Sequence, residues 1–156
     1  MKYTIVILAF FSLRSGFCDS ATGPKESTVD SPLPVAHLGD TVRIKINESV
    51  RIDSTAYTLS FLDVPYDCRC PSDVACPWAG FASANFSISR ASTDTVSLTF
   101  DIWGTIYWAQ DIAIDTLGLR TSMWYLDPYP READFAIWSK SNYNALLKIK
   151  RSAAPG

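Results

Sequence analysis

The stretch that decides the fold is ASANFSIS, residues 82–89, in which apolar and polar side chains alternate at every position. Successive side chains of a β-strand point to opposite faces of the sheet, so this alternation predicts a strand with one buried face. The same two-residue period recurs in four other stretches: residues 42–46, 57–61, 96–102 and 143–149. Polar or glycine-containing segments separate them. The pattern predicts an all-β fold, an antiparallel sandwich or barrel-like domain of about seven to nine short strands.

Length and composition indicate one globular domain with a core. The chain has 156 residues, 47% of them hydrophobic and 13% aromatic, which is enough apolar material for burial. The formal net charge is −2, and no basic patch of the kind needed for nucleic-acid binding is present in the sequence. The basic residues at positions 148–151 alternate with apolar residues, as expected for a strand with one solvent-exposed face. Nucleic acid is therefore not an expected partner.

The first residues have the character of an export signal. Lys2 precedes the apolar stretch TIVILAFFSL, residues 4–13, which is too short to span a bilayer as a helix. We expect residues 1–17 to be a signal peptide. The mature protein is then exported to the periplasm, to the outer membrane as an anchored protein, or to the extracellular space.

Cys18 stands where a bacterial lipoprotein carries its lipid, although the bulky Phe17 departs from the small residue usual before that cysteine. Cleavage after Ser20 is the alternative. Residues 18–34 are polar and rich in Ser, Thr and Pro, which predicts a tether before the domain. After the signal peptide we predict this tether at residues 18–34, a β domain at residues 35–151 and a short disordered tail at residues 152–156. Membrane contact is expected only through a lipid on Cys18.

The cysteines predict a closed loop in the middle of the chain. In an exported protein a disulfide is the first expectation. Cys70 and Cys76 flank PSDVA, residues 71–75, whose proline and aspartate favour a bend. We predict a Cys70–Cys76 disulfide that holds this loop in one shape, with Trp78 packed over it.

The remaining pair, Cys18 and Cys68, leaves two alternatives open. If Cys18 is retained without lipid, a Cys18–Cys68 disulfide can form; otherwise Cys68 is free or bridges to another chain. A zinc site made from His37 and three cysteines is a weaker alternative, because the C-x-C-x₅-C spacing differs from that of known zinc sites. No metal or other cofactor is expected.

The central motif DCRCPSDVACPWAG, residues 67–80, resembles a family of uncharacterised bacterial exported and lipoprotein-like proteins. Their signature is D-[SC]-R-C-P-x-x-V-x-C-x-W-A-G, and they also have a Pro-Tyr-Pro element and a final strand like residues 128–130 and 143–149. Cys68 stands where most of that family has serine. The resemblance implies an exported β domain and no established activity.

The sequence gives little support to catalysis. Its only histidine, His37, precedes the first clear strand, and a surface role is the ordinary expectation there. Asp63, Asp67 and Asp73 lie near the predicted disulfide loop, and paired carboxylates can hydrolyse glycosidic bonds. Such residues more often cap turns. We therefore predict no catalytic residue and keep a hydrolase using these three aspartates as an alternative.

Binding is the favoured class of function. Trp103, Trp108, Trp124 and Tyr129 form a candidate binding patch for an unknown protein or glycan of the cell envelope. A second hypothesis is inhibition of an exported enzyme by the Cys70–Cys76 loop, because a loop of fixed shape binds well in a cleft. The oligomeric state is not indicated by the sequence.

Overall fold

Nine strands form from the described residues, and most of them alternate buried and exposed side chains. In chain order they are β1 (Val35–Ala36), β2 (Thr41–Lys45), β3 (Ser49–Ile52), β4 (Tyr57–Asp67), β5 (Phe81–Arg90), β6 (Asp94–Trp103), β7 (Ile112–Thr116), β8 (Leu119–Asp127) and β9 (Asn144–Arg151). In β9, Ala145, Leu147 and Ile149 are buried and the positions between them are more exposed. The two-residue period of the sequence therefore corresponds to strands with one buried face, as predicted.

The structure, a computed structural model, describes residues 32–90, 94–104, 112–137 and 139–153, without the side chains of residues 135–137. The predicted signal peptide, most of the tether, Cys18 and Trp108 lie outside the described residues. The described part of the chain belongs to a unit that starts at Pro32. Within it the prediction of an all-β, sandwich-like fold is confirmed.

The strands form two sheets. The five-stranded sheet has the order β1-β3-β4-β5-β6, and the four-stranded sheet has the order β2-β9-β8-β7. All pairings are antiparallel except that of β1 with β3. β4 and β5 lie at the centre of the first sheet, and β8 and β9 lie at the centre of the second.

The core lies between the two sheets and contains a row of phenylalanines. Phe61, Phe86 and Phe100 come from β4, β5 and β6, with ring centroids 4.5 Å apart for the first two and 5.6 Å apart for the last two. Met123 and Leu147 are buried on the other sheet. Burial of each such side chain stabilises the fold by about 1.5–3 kcal/mol.

Two connections are longer than tight turns. The sequence predicts them at residues 63–80 and 127–142, of which residues 63–67 and Asp127 belong instead to β4 and β8. One joins β4 to β5 through residues 68–80, and the other joins β8 to β9 through residues 128–143. The second begins with a cis peptide bond at Asp127-Pro128 and contains two 3₁₀ helices, Glu132–Ile137 and Lys140–Asn142. The sequence predicts a helical turn in residues 133–140, and the two helices lie in and beside that range.

The β7–β8 hairpin shows what a tight turn in this chain requires. Leu117 and Gly118 have φ values of 55° and 72°. A two-residue hairpin turn in which both central residues have positive φ matches the twist of the flanking strands. Ser152, predicted to begin the tail, donates from its backbone N–H to the Gly118 carbonyl at 2.9 Å and so lies against this turn.

Candidate binding site

A buried ion pair lies at the end of β4. The Arg69 guanidinium donates from Nε to Asp67 Oδ1 at 2.8 Å and from Nη2 to Asp67 Oδ2 at 2.6 Å. The Tyr143 hydroxyl donates to the same Oδ2 at 2.8 Å. The side chains of Arg69 and Asp67 are only 2% and 9% exposed. This two-point geometry is the strong form of a charge-assisted hydrogen bond, and burial requires that both charges be compensated.

Arg69 also reaches the connection that follows β8. Its Nη1 donates to the Leu126 carbonyl at 2.8 Å, and its Nη2 donates to the Pro128 carbonyl at 2.9 Å. The Tyr129 ring lies over the guanidinium, 4.9 Å from its central carbon to the ring centroid. Four of the five guanidinium N–H groups are thus used. We call this group the Arg69 cluster; its members are Asp67, Arg69, Tyr129, Tyr143 and the carbonyls of Leu126 and Pro128.

Two glycines allow the chain to pass close to Arg69. Gly80 has a φ of 68°, and a Cβ atom there would collide with the carbonyl oxygen of Cys68. A Cβ atom at Gly104 would collide with the Ala79 carbonyl oxygen and would lie 3.2 Å from Arg69 Cβ. The absence of a side chain at these positions is therefore a packing requirement.

The disulfide predicted between Cys70 and Cys76 is confirmed, with a Cα–Cα separation of 5.9 Å. We call residues 70–76 the Cys loop. The Cys70 backbone N–H donates to the Ala79 carbonyl at 2.8 Å, which closes the base of the loop. Trp78 does not cover the bridge as a buried residue: 57% of its surface is exposed. No local pattern in the sequence distinguishes a buried from an exposed indole at this position.

The Cys loop is also attached to the β8–β9 connection. The Ser72 backbone N–H donates to the Pro130 carbonyl at 2.9 Å. Asp73 Oδ1 accepts from the Glu132 backbone N–H at 2.8 Å. This hydrogen bond is the main reason why the pKa of Asp73 is lowered from its usual value. The loop is therefore held at its base by the disulfide and along one side by the second long connection.

Although it is attached, the Cys loop is exposed. Residues 72–78 are all exposed to solvent, including Val74, Pro77 and Trp78. When the backbone of a segment is already fixed, its binding to a partner costs little further backbone conformational entropy. Such a segment is suited to binding.

Three aromatic residues lie where β4, β5 and β6 reach the Cys loop. Tyr66 and Trp103 are 66% and 54% exposed, and Phe81 is partly buried. The Phe81 and Trp103 rings have centroids 5.7 Å apart, and the backbone register pairs these two residues directly. Tyr66 pairs with Ser83, one position along the same face from Phe81. We call Tyr66, Phe81 and Trp103 the aromatic end of the five-stranded sheet.

The aromatic patch expected from the sequence is divided among different surroundings. Trp103 belongs to the aromatic end, whereas Trp124 lies on the other sheet, with the Lys148 ammonium 5.6 Å from its ring centroid. Tyr129 packs in the Arg69 cluster, where burial raises the pKa of its phenol. Trp108 lies outside the described residues. Phe81, which the sequence did not single out, is the neighbour of Trp103, and Tyr66 lies on the same sheet face in β4.

The three aspartates proposed for a hydrolase each have a structural partner. Asp63 Oδ1 accepts from Lys140 Nζ at 3.2 Å. Asp67 belongs to the Arg69 cluster, and Asp73 holds the Cys loop. These contacts favour structural roles for all three, and the hydrolase remains an alternative from the sequence alone.

His37 pairs with Asp53 at the surface. Its Nδ1 lies 3.0 Å from Asp53 Oδ2, and this hydrogen bond is the largest cause of the lowered pKa of Asp53. Among the described residues no group of three or more His, Cys, Asp and Glu is arranged to hold a metal ion.

Cys68 is exposed and has no disulfide partner within the described part of the chain. Its Sγ donates to the Phe81 carbonyl at 3.2 Å. Cys18, the partner proposed for it, lies outside the described residues, so the second disulfide remains a prediction. The zinc alternative does not agree with this structure, because Cys70 and Cys76 use their sulfur atoms in the disulfide.

The chain has no match among family models, curated proteins or solved structures. Where the structure describes the chain, none of its helices combines the length and apolar character that crossing a bilayer demands. The geometry of the Cys loop, the Arg69 cluster and the aromatic end therefore carries the functional argument.

Proposed function

We propose that this chain is an exported, non-enzymatic binding module that recognises another protein of the cell envelope through the Cys loop and the aromatic end. The observation that carries the proposal is the run of exposed residues 72–78 on a backbone fixed by the disulfide and by the β8–β9 connection. A surface segment that is apolar, exposed and already ordered meets the main requirements of a binding loop.

A protein partner fits this surface better than a glycan. Trp78 is exposed, and tryptophan and tyrosine are enriched among the residues that contribute most to protein–protein affinity. The aromatic end continues from this loop, because Gly104, which follows Trp103, donates from its backbone N–H to the Gly80 carbonyl at 2.8 Å. The loop and the aromatic rings therefore belong to one end of the domain.

Inhibition of an exported enzyme is a second candidate, favoured by the same exposure. The Cys loop must be accessible if it is to enter a cleft, and residues 72–78 are exposed. A panel of exported hydrolases assayed with the purified protein would test it. Inhibition by the wild type that is lost in Trp78→Ser would support this candidate. Full activity of every hydrolase in the panel would contradict it and leave the binding module as the proposal.

Export itself is part of the proposal. It is supported by the apolar segment at residues 4–13 and by the disulfide, which forms most readily in an oxidising compartment. A lipid on Cys18 would tether the domain to a membrane. The intact mass of the mature protein, measured before and after reduction, distinguishes a lipidated Cys18 from an unmodified chain with a second disulfide.

The test of binding uses two variants of the exported protein. In the first, Val74→Ser and Trp78→Ser remove one exposed apolar side chain of the Cys loop and one from the segment directly after it. In the second, Leu33→Ser and Leu117→Ser remove exposed apolar side chains elsewhere. Each is cross-linked in envelopes of the host, and any protein captured by the wild type is purified and its Kd measured.

We expect the loop variant to bind its purified partner about 10- to 100-fold more weakly, which is the loss typical of removing a residue that carries much of the binding energy. The matched control should bind with the affinity of the wild type. Unchanged affinity of the loop variant for every captured protein would refute the proposal. Thermal unfolding of both variants shows whether a loss of binding comes from loss of folding.

A further inference from the structure

The outer face of the four-stranded sheet collects basic side chains. The strand register places Arg43 and Lys45 of β2, Lys148 and Lys150 of β9, and Arg120 of β8 on the face that points away from the core. Their neighbours along each strand, such as Ile44 and Ile149, are buried. We call these five cations the basic face.

Only part of this positive charge is neutralised within the domain. Arg43 pairs with Asp127 at 2.6 Å, and Arg120 pairs with Asp115 at 2.8 Å. Within the described residues the ammonium groups of Lys45, Lys148 and Lys150 form no ion pair with a carboxylate, although the Lys45 backbone N–H donates to Glu48 Oε2 at 3.2 Å. The face therefore carries a net positive charge in a chain whose formal net charge is −2.

The other sheet has a different outer surface. By the same register, the outward positions of β4, β5 and β6 are mostly Ser, Thr or Asn and include no lysine or arginine among the described residues. In the row that crosses the sheet at Ser60, the neighbours are Ser49, Ser87 and Ser97. Five basic residues thus lie on the outer face of the four-stranded sheet, whereas the outward positions of the strands in the other sheet include one, Arg51 of β3.

Aromatic side chains lie among the cations. Trp124 stands at an irregularity in the pairing of β8 with β9, and the Lys148 ammonium lies 5.6 Å from its ring centroid. Tyr125 is 46% exposed and pairs across the strands with Leu146. Tryptophan and tyrosine beside lysines are the residues that occupy the headgroup region of membranes.

We propose that the basic face binds the surface of a bilayer containing anionic phospholipids. Positive charges distributed over a sheet face, with Trp124 and Tyr125 between them, complement a plane of phosphate headgroups. This inference does not depend on the proposed protein-binding function, because the Cys loop and the aromatic end take no part in it.

The experiment measures sedimentation of the mature protein with sucrose-loaded vesicles. One set contains about 30 mol% phosphatidylglycerol in phosphatidylcholine, and the other contains phosphatidylcholine alone. An acyl chain on Cys18 would insert into both sets, so the ratio of the two partition coefficients isolates the contribution of charge. The variant Lys148→Glu/Lys150→Glu is compared with Arg51→Glu/Arg90→Glu, which changes the net charge equally outside the basic face.

We expect the wild type to partition more strongly into the anionic vesicles, with a preference that falls as salt rises from about 0.05 to 0.5 M. Reversal of Lys148 and Lys150 should lower the partition coefficient into anionic vesicles about 10- to 100-fold, and reversal of Arg51 and Arg90 by less than about threefold. If the first variant does not fold, Lys148→Gln/Lys150→Gln replaces it.

Equal partition into the two kinds of vesicle would overturn the proposal. An equal loss in both charge-reversal variants would also overturn it, because net charge rather than this face would then control binding. Tighter binding to a soluble polyanion such as heparin than to the vesicles, with the same dependence on Lys148 and Lys150, would assign the face to an acidic polymer instead of a membrane.

Discussion

Arg69 and Asp67 are two positions apart in the chain, and their side chains form a two-point ion pair that is almost completely shielded from water. The pair is held in place by contacts from distant segments, the Tyr143 hydroxyl and the carbonyls of Leu126 and Pro128. It therefore connects the end of β4 with the end of β8 and the start of β9.

The first prediction concerns the free energy of unfolding. Replacement Arg69→Met leaves the buried Asp67 carboxylate without its main partner, so we expect a loss of about 3–5 kcal/mol in urea unfolding. Replacing both residues, Arg69→Met with Asp67→Asn, should cost less than the sum of the single changes. Arg43→Met is the matched control, because Arg43 pairs with Asp127 at the surface, and it should cost less than about 1 kcal/mol. Equal losses for Arg69→Met and Arg43→Met would contradict the role given to the buried pair.

The second prediction separates backbone strain from collision. Gly80 and Gly118 have similar φ values, 68° and 72°, but a Cβ atom at Gly118 meets nothing within 4 Å. Gly118→Ala should therefore cost only the strain of the left-handed conformation, about 1–2 kcal/mol. Gly80→Ala should cost at least about twice as much, because the Cys68 carbonyl must move. Denaturant unfolding of both variants measures the difference, and similar losses would show that the chain near Gly80 relaxes freely.

The third prediction concerns acid. The Glu132 backbone N–H holds the pKa of Asp73 below its usual value, so folding favours the charged carboxylate. The resulting stabilisation is present above the usual aspartate pKa and is lost as the pH falls through the lowered pKa of the folded state. In an NMR titration, the Glu132 amide proton should shift with a midpoint below the usual aspartate range. This step should be absent in Asp73→Asn, and a midpoint in the ordinary range would mean that the hydrogen bond does not persist in solution.

The fourth prediction concerns alkali. Burial raises the pKa of Tyr129, an effect that Arg69 opposes and Asp67 reinforces. The neutral phenol is therefore the form that the fold favours. Its stabilisation is complete below the usual tyrosine pKa and is lost as the pH rises through the raised value. Ultraviolet titration should show a late tyrosine step that disappears in Tyr129→Phe. An unchanged titration curve in that variant would show that Tyr129 is not the late group.

Sequence reasoning identified the strands because burial in this domain follows the local period. Residues 82–89 alternate at every position and lie within β5, and residues 143–149, interrupted only at Leu146, correspond to β9 except for Tyr143. The Cys70–Cys76 disulfide was predictable for a similar reason, since the two cysteines are close in the chain and flank a segment that bends. Both features are determined by neighbours in sequence.

The Arg69 cluster was not predicted, because its contacts are not local. The sequence indicates Asp67 only as a candidate catalytic carboxylate and Arg69 only as part of the motif at residues 67–80. An arginine between two cysteines has no pattern that indicates burial, and the carbonyls that receive its hydrogen bonds are 57 and 59 positions away. The aromatic end was missed in part, because the pairing that places Phe81 beside Trp103 joins two strands and no local pattern indicates it.

The parallel pairing of β1 with β3 has a mechanical consequence. The described part of the chain begins with a two-residue strand at the edge of the five-stranded sheet, held by hydrogen bonds from the Arg51 N–H to the Pro34 carbonyl and from the Asp53 N–H to the Ala36 carbonyl, and residues 18–34 before it are the predicted tether. A pull on the tether is therefore borne first by these few bonds. We expect β1 to detach under tension before β3 does, because β1 is the edge strand and pairs only with β3. Its detachment would lengthen the connection to the domain while β3 and the strands beyond it stay folded.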